Sequence, residues 1–247
     1  MAALRIDPRI AQHTYQCIRL PDGRVGNFVN STTRPIRDDI KDTTPHGTVN
    51  MERGIVVSCN AYFAQLGSHD VGAKNLFETA NLLGIAAASP NTEEQLKASL
   101  AQSSYGQGQV VASPFQMARV AATVANRGVA PLGRWLTDEN NTRTTAPHAV
   151  MPADTAEMLA RFLRAAVTSG TGRNAAASVP VAGKTGTAEL EGQDSHAWFI
   201  GFAPYGAATR KIAFSVLVEN GVYGGTAAAP AAAAIVDAAV KLGLIQP

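Results

Sequence analysis

The sequence predicts an α/β (α+β) protein with helices first and sheet strands last. Three observations carry this. Apolar residues recur at helical spacing between about residues 50 and 170, with proline and glycine where helices open and close. Three strand-like runs follow, at 179–190, 196–203 and 211–219. The last, "KIAFSVLVE", is apolar on both faces, as expected of a strand covered by helices on each side. A chain of 247 residues is one domain by default, long enough for a substantial core.

In chain order, residues 1–49 read as loop-rich. "YQCIRLPDGRVGNFVN" is a hairpin around Pro21-Asp22-Gly23, and polar, loop-like sequence runs on to His46. Residues 50–170 are mainly helical. The pattern predicts helix over 50–66, on both sides of Ser58-Cys59-Asn60, and again over 73–83, ending at Gly84. In "SPFQMARVAATVANRG", Ser113 is the N-cap, Pro114 takes the first position and Gly128 lies beyond the end. Met117, Val120 and Val124 recur at helical spacing there and read as core. Residues 152–168 repeat the design, with Leu159, Phe162, Leu163, Ala166 and Val167 on one face and Gly170 as the stop. Residues 171–247 hold the three strands and a closing alanine-rich helix over 229–242, opened by Pro230.

Composition narrows the function classes. A net charge of +2 argues neither for nucleic acid nor for an acidic partner. No run of eighteen or more apolar residues and no signal-like start is present. Cys17 and Cys59 are compatible with export without demanding a disulfide. The five histidines lack paired metal-ligand spacing, so no metal site is expected.

The chemistry concentrates in "VPVAGKTGTAEL", residues 179–190. Gly183-Lys184-Thr185 matches the end of a phosphate loop, but the glycine needed five positions earlier is Ser178, and the following residues are turn-like rather than helical. The other reading is a serine acyl-transfer site, in which K-T-G (Lys184-Thr185-Gly186) pairs with an S-x-N triplet. Ser58-Cys59-Asn60 supplies that triplet, 126 residues before Lys184. Alone, S-C-N reads as a helix start with Ser58 as N-cap. Together and in this order the two triplets are much more specific.

With these motifs the chain resembles the penicillin-binding protein transpeptidase domain, of the class B kind, within the serine D,D-transpeptidase and β-lactamase-like superfamily. "YGQGQVVASPFQMARVAATVANRGV", "VTSGTGRN", "HAWFIGFAP" and "VENGVYGGTAAAP" extend the resemblance from about Met51 onward, and more loosely over the first 50 residues. It implies an antiparallel sheet flanked by helices on both faces. It also implies acyl transfer on D-alanyl-D-alanine stem peptides of peptidoglycan, with no cofactor. Ser58 would relay a proton, and Lys184 would supply positive charge. Asn60 would hold the substrate amide. Thr185 and Thr187 would bind the terminal carboxylate, Gly186 would permit close approach, and the Thr187 N–H would form half of an oxyanion hole. Tyr105, Gly106 and Gly108 would shape a wall. β-Lactams would be inhibitors, a membrane glycosyltransferase a partner, and the extracytoplasmic face of the bacterial membrane the location.

One element of the family pattern is missing. None of the six lysines has a serine three residues before it, so no S-x-x-K nucleophile motif is present. Ser31-Thr32-Thr33-Arg34 comes nearest, but arginine stays protonated and cannot act as a base. "MAALRIDPRIAQHTYQC" resembles the segment just after the nucleophile. The expectation is therefore a partial domain, lacking the N-terminal strands and the nucleophile helix and inactive alone. A noncatalytic protein that binds peptidoglycan or β-lactams is the alternative.

Overall fold

The structure is a computed structural model that describes residues 1–29, 34–133 and 146–246. Helix α1 (Ala2–Ile6) and a 3-10 turn lead into β1 (Tyr15–Arg19), which turns back at Leu20–Gly23 into β2 (Val25–Asn27). This is the expected hairpin, with Ile18 opposite Gly26 and Arg19 opposite Val25. The stretch expected to be loop up to His46 holds further pairing. β3 (Ile36–Arg37) joins β2, and β4 (Gly47–Val49) joins β1, completing an antiparallel sheet in the order β3-β2-β1-β4. Strands this short cannot display a period of two, so only their distant partners reveal them. Ser31, Thr32 and Thr33 lie outside the described residues.

Helices α2 (Met51–Val57) and α3 (Asn60–Leu66) meet at a corner formed by Ser58 and Cys59, and α4 (Gly72–Leu82) follows a π turn. Gly54 lets the two helices of the corner close: a Cβ there would lie 2.6 Å from the Tyr62 ring. Short helices α5 (Glu93–Ala98) and α6 (Leu100–Ser103) lead to α7 (Pro114–Ala125). Its start is a capping box, in which Ser113 Oγ accepts from the Gln116 amide and the Gln116 side chain accepts from the Ser113 amide. Strands β5 (Val129–Ala130) and β6 (His148–Ala149) form a small ribbon before α8 (Ala153–Ser169). Helix α8 buries Leu159, Phe162, Leu163, Ala166 and Val167, the face read from its spacing. On α7 only Val124 of the expected trio is fully buried. Met117 and Val120 are half-buried, and Val120 faces the main cleft.

The principal sheet is antiparallel, β7 (Ala182–Leu190), β8 (Gln193–Ala203) and β9 (Ile212–Val218) in that order. The first strand begins past Val179-Pro180 because proline has no N–H to give a ladder. Alternate residues of β8 feed two cores, as its pleat requires. Ala197, Phe199 and Ala203 pack with Ala229, Ala232 and Val236 of the closing helix α9 (Ala229–Lys241). Phe202 points the other way, into the cluster built by α2, α3 and α8. Helices thus cover both faces of an antiparallel sheet, as the sequence predicts.

Among the described residues no strand pairs with the outer edge of β9. Its unpaired N–H and C=O groups on an apolar strand are a template for another strand. The chain is expected to associate through this edge as concentration rises, protecting those Ile212–Val218 amides that do not bond to β8. Light scattering showing a monomer at every concentration, with those amides exchanging freely, would contradict this.

Candidate active site

The site forms where the α2–α3 corner meets the edge of β7. Helix α2 ends at Ser58, which adopts φ +60°, ψ +43°, a left-handed conformation a non-glycine residue rarely takes. This breaks the helix and starts α3 in a new direction, with the Cys59 sulfur capping the Tyr62 amide. Asp38 holds the corner from behind: one carboxylate oxygen accepts from the Ala61 amide at 2.9 Å. Asn60 donates to Arg37 O at 3.1 Å, which ties the same corner to β3.

Opposite stands the K-T-G segment. Lys184 Nζ donates to Ser58 Oγ at 2.7 Å and to Thr185 O at 2.9 Å. These partners are neutral oxygens, and burial of the ammonium lowers the Lys184 pKa to about 8. Lys184 can therefore exchange a proton with a hydroxyl near neutral pH. Thr187 O accepts from the Gln107 side chain at 3.3 Å, on the cleft side of the strand. In an extended strand a residue's N–H points the same way as its C=O, so the Thr187 N–H faces the cleft as well. Gly224, in the loop after β9, packs against the backbone of this strand. Gly224 lies so close that a Cβ on it would sit 2.5 Å from Gly186 O and 2.4 Å from Trp198 O. Two glycine backbones stack there, which holds the loop after β9 against the K-T-G strand.

The six sequence-predicted residues Ser58, Asn60, Lys184, Thr185, Gly186 and Thr187 line one cleft of about 650 Å³. Tyr105 lines it too, whereas Gly106 and Gly108 are not among its lining residues. Sequence reasoning assigned no role to four others. Thr171 shares a 2.6 Å hydrogen bond with the Thr185 hydroxyl, and Asn174 donates to Gly225 O at 2.8 Å. Lys41 places its ammonium 3.2 Å from the centre of the Tyr223 ring, joining the two walls at the mouth. Thr171, Asn174 and Tyr223 fall in or beside stretches already singled out by resemblance; nothing local marks Lys41.

A second cluster lies just behind the S-x-N corner. The Cys17 and Cys59 sulfurs approach the same Asp38 oxygen at 3.1 and 3.2 Å, and His46 Nδ1 reaches it at 3.1 Å. Burial alone would raise the Asp38 pKa, but hydrogen bonds from His46, the Ala61 amide and both thiols outweigh it and hold the carboxyl below its usual range. Hydrogen bonds to Asp38, then to Asp42 and Cys17, raise His46 to about 11. The four donor atoms lie within 4.8 Å of one another, and two sulfurs, an imidazole and a carboxylate could hold a divalent ion such as zinc. The sequence reading expected no metal site because these residues have no paired spacing. Strand pairing of β1 with β4, and the turn at Ser58, bring them together.

The left-handed serine corner and the K-T-G edge thus face one another across a single cleft. A profile of the penicillin binding protein transpeptidase domain matches residues 27–237, and the chain belongs to that family. It is 35% identical over 229 residues to the peptidoglycan D,D-transpeptidase PbpA of Mycolicibacterium smegmatis, covering 81% of this chain and 45% of the relative. The peptidoglycan D,D-transpeptidase MrdA of Acinetobacter baumannii is 28% identical over 232 residues, covering 75% and 34%. The chain thus spans less than half the length of these curated relatives. Among solved structures, penicillin-binding protein A from M. tuberculosis in its ceftriaxone acyl-enzyme complex superposes with a TM-score of 0.76 at 28% identity, over 97% of this chain and 58% of that one.

The half-buried Lys184 gives a signed prediction. The folded chain releases its proton near pH 8 and the unfolded chain near 10.5. Between them the unfolded state binds more protons, so stability rises with pH across this window, and the cost of burying the charge is carried in full below it. Relative to Lys184→Met, the wild type should gain up to about 3 kcal/mol between pH 8 and 10.5. Urea denaturation of both proteins from pH 6 to 10.5 checks this; parallel profiles would show that Lys184 titrates normally.

Proposed function

We propose that the chain is the substrate-binding part of a peptidoglycan D,D-transpeptidase domain, acting on stem peptides that end in D-alanyl-D-alanine. The observation that carries the reading is the 2.7 Å contact of Lys184 with Ser58, beside a strand edge whose polar groups face the cleft. A peptide laid along β7 would add as a strand, its amides bonding to the Thr185–Thr187 backbone. Its terminal carboxylate would meet the hydroxyls of Thr185 and Thr187 and the charge of Lys184. Asn60 would hold the peptide amide.

The reaction needs a serine to attack the penultimate carbonyl, release the last D-alanine and pass the acyl group to a neighbouring stem's amine. The Thr187 N–H would donate to the oxyanion formed on attack. Ser58, bonded to Lys184, would pass a proton to the leaving nitrogen. The 247 residues contain no S-x-x-K, so in this proposal the attacking serine comes from sequence beyond them. Their own share is binding, orientation and proton transfer.

β-Lactams are the proposed inhibitors of the complete site, since structures of penicillin-binding protein A from M. tuberculosis hold ceftriaxone, imipenem and penicillin G as acyl-enzymes. The site of action is proposed to be outside the cytoplasmic membrane, beside a membrane glycosyltransferase that supplies strands. Among the described residues no helix is long and apolar enough to cross a membrane. The missing S-x-x-K also favours a second reading, a noncatalytic protein that binds stem peptides or β-lactams without cutting them.

A labelled penicillin tests both. The 247-residue chain is expected to form no covalent adduct, because an acyl-enzyme needs its nucleophile. An adduct that survives denaturing electrophoresis and disappears in Ser58→Ala would overturn this and make Ser58 the nucleophile. Supplying an upstream segment with S-x-x-K should restore labelling under the transpeptidase reading, and Lys184→Ala should then sharply reduce it.

A further inference from the structure

The thiols of Cys17 and Cys59 come from elements 42 positions apart, strand β1 and the α2–α3 corner, yet both point at one oxygen of Asp38. Each side chain is almost wholly buried, at 1% and 0% exposure, and their sulfurs lie within 4.8 Å. We propose that Cys17 and Cys59 form a reversible disulfide that responds to peroxide and controls the geometry of the Ser58-Cys59-Asn60 corner.

Three features of the surroundings suit this. First, the sulfurs need only close on one another beside a shared acceptor, with no intervening side chain bonded to both except Asp38. Second, Asp38 stays satisfied once the two S–H donors are gone. His46 Nδ1 remains 3.1 Å from one carboxylate oxygen, and the Ala61 amide donates to the other at 2.9 Å. Breaking the thiol contacts therefore leaves no orphaned buried carboxylate, which would otherwise oppose oxidation. Third, Cys59 is the middle residue of the triplet. Drawing its sulfur toward β1 acts on the left-handed Ser58 next to it, and on the cap the same sulfur makes to the Tyr62 amide.

The oxidant is a hydroperoxide. Cys17 is the attacking thiol, its sulfur lying 3.6 Å from His46 Nδ1. Its thiolate attacks one peroxide oxygen, the O–O bond breaks and hydroxide leaves, giving a sulfenic acid. The Cys59 sulfur then attacks the sulfenic sulfur, and its proton departs with the hydroxyl as water. In sum, two thiols give up two electrons and one hydrogen peroxide becomes two waters. A thiol reductant reverses the bond by exchange.

The test uses the purified chain, treated with a chelator so that no bound cation masks the thiols, and then with hydrogen peroxide. The expected product is lighter by about 2 Da, takes up no iodoacetamide after denaturation, and yields a Cys17–Cys59 linked peptide. Dithiothreitol should restore both thiols. Hydrogen exchange should rise over residues 57–62 in the oxidised form and fall back on reduction. Two free thiols after peroxide, or independent gain of two oxygens at either cysteine, would overturn the pairing. A cross-link formed with unchanged exchange at 57–62 would overturn its control of the corner. Cys17→Ser removes only the β1 partner, so it should fold, form no cross-link and show no peroxide-induced rise over 57–62. If it does not fold, Cys17→Ala serves the same comparison, since the residue is small and its backbone pairing with Gly47 is kept.

Discussion

The hydrogen bond from Lys184 to Ser58 is the joint on which this architecture turns. It spans 126 positions and links the principal sheet to the helical half across the cleft. Each side is held by independent means. Ser58 is fixed by a left-handed turn between α2 and α3, with Asp38 bonded to the corner from behind. Lys184 is fixed by its register opposite Ile200 on β8. Neither arrangement is the cheapest local choice: a serine at positive φ is strained, and an ammonium out of water is costly. Their persistence follows from the packing around them, where α2, α3 and α8 share one apolar cluster with Ala182 and Phe202 of the sheet.

Placing the charge there also organises the cleft. A cation in contact with neutral oxygens alone favours an incoming anion, and a peptide's terminal carboxylate would offer one. The hydroxyls of Thr171 and Thr185 lie 2.6 Å apart on the same side. The stacked glycines 186 and 224 hold the loop after β9 against the strand, so that Tyr223 and Lys41 meet across the mouth. The cleft thus combines a strand edge, the Lys184 amine and a few hydroxyls.

Much of this was legible because it is local. The N-cap at Ser113 and the apolar face of α8 follow from spacing and turn residues within a few positions. The triplets at 58–60 and 184–186 were legible by their order and distance; five of their residues, all but Cys59, line one cleft with the adjoining Thr187. What stayed hidden depends on distant partners. β3 and β4 exist only through pairing with β2 and β1, and Met117 and Val120 are less buried than their helical spacing suggested. Cys17, Asp38, His46 and Cys59 have no regular spacing, because strand pairing and a left-handed turn gather them rather than a single loop.

The central claim is that the β7 edge, together with Ser58 and Asn60, binds a peptide ending in D-alanyl-D-alanine. The most direct measurement is an NMR titration of the isotope-labelled chain with a short acylated peptide of that ending. The amides of Thr185 to Thr187, the Asn60 side-chain amide and the Lys184 ammonium should shift together and saturably. The L-alanyl-L-alanine peptide and the C-terminally amidated D,D peptide should leave them in place. Equal shifts with all three peptides, or shifts confined to residues outside the cleft, would contradict the account.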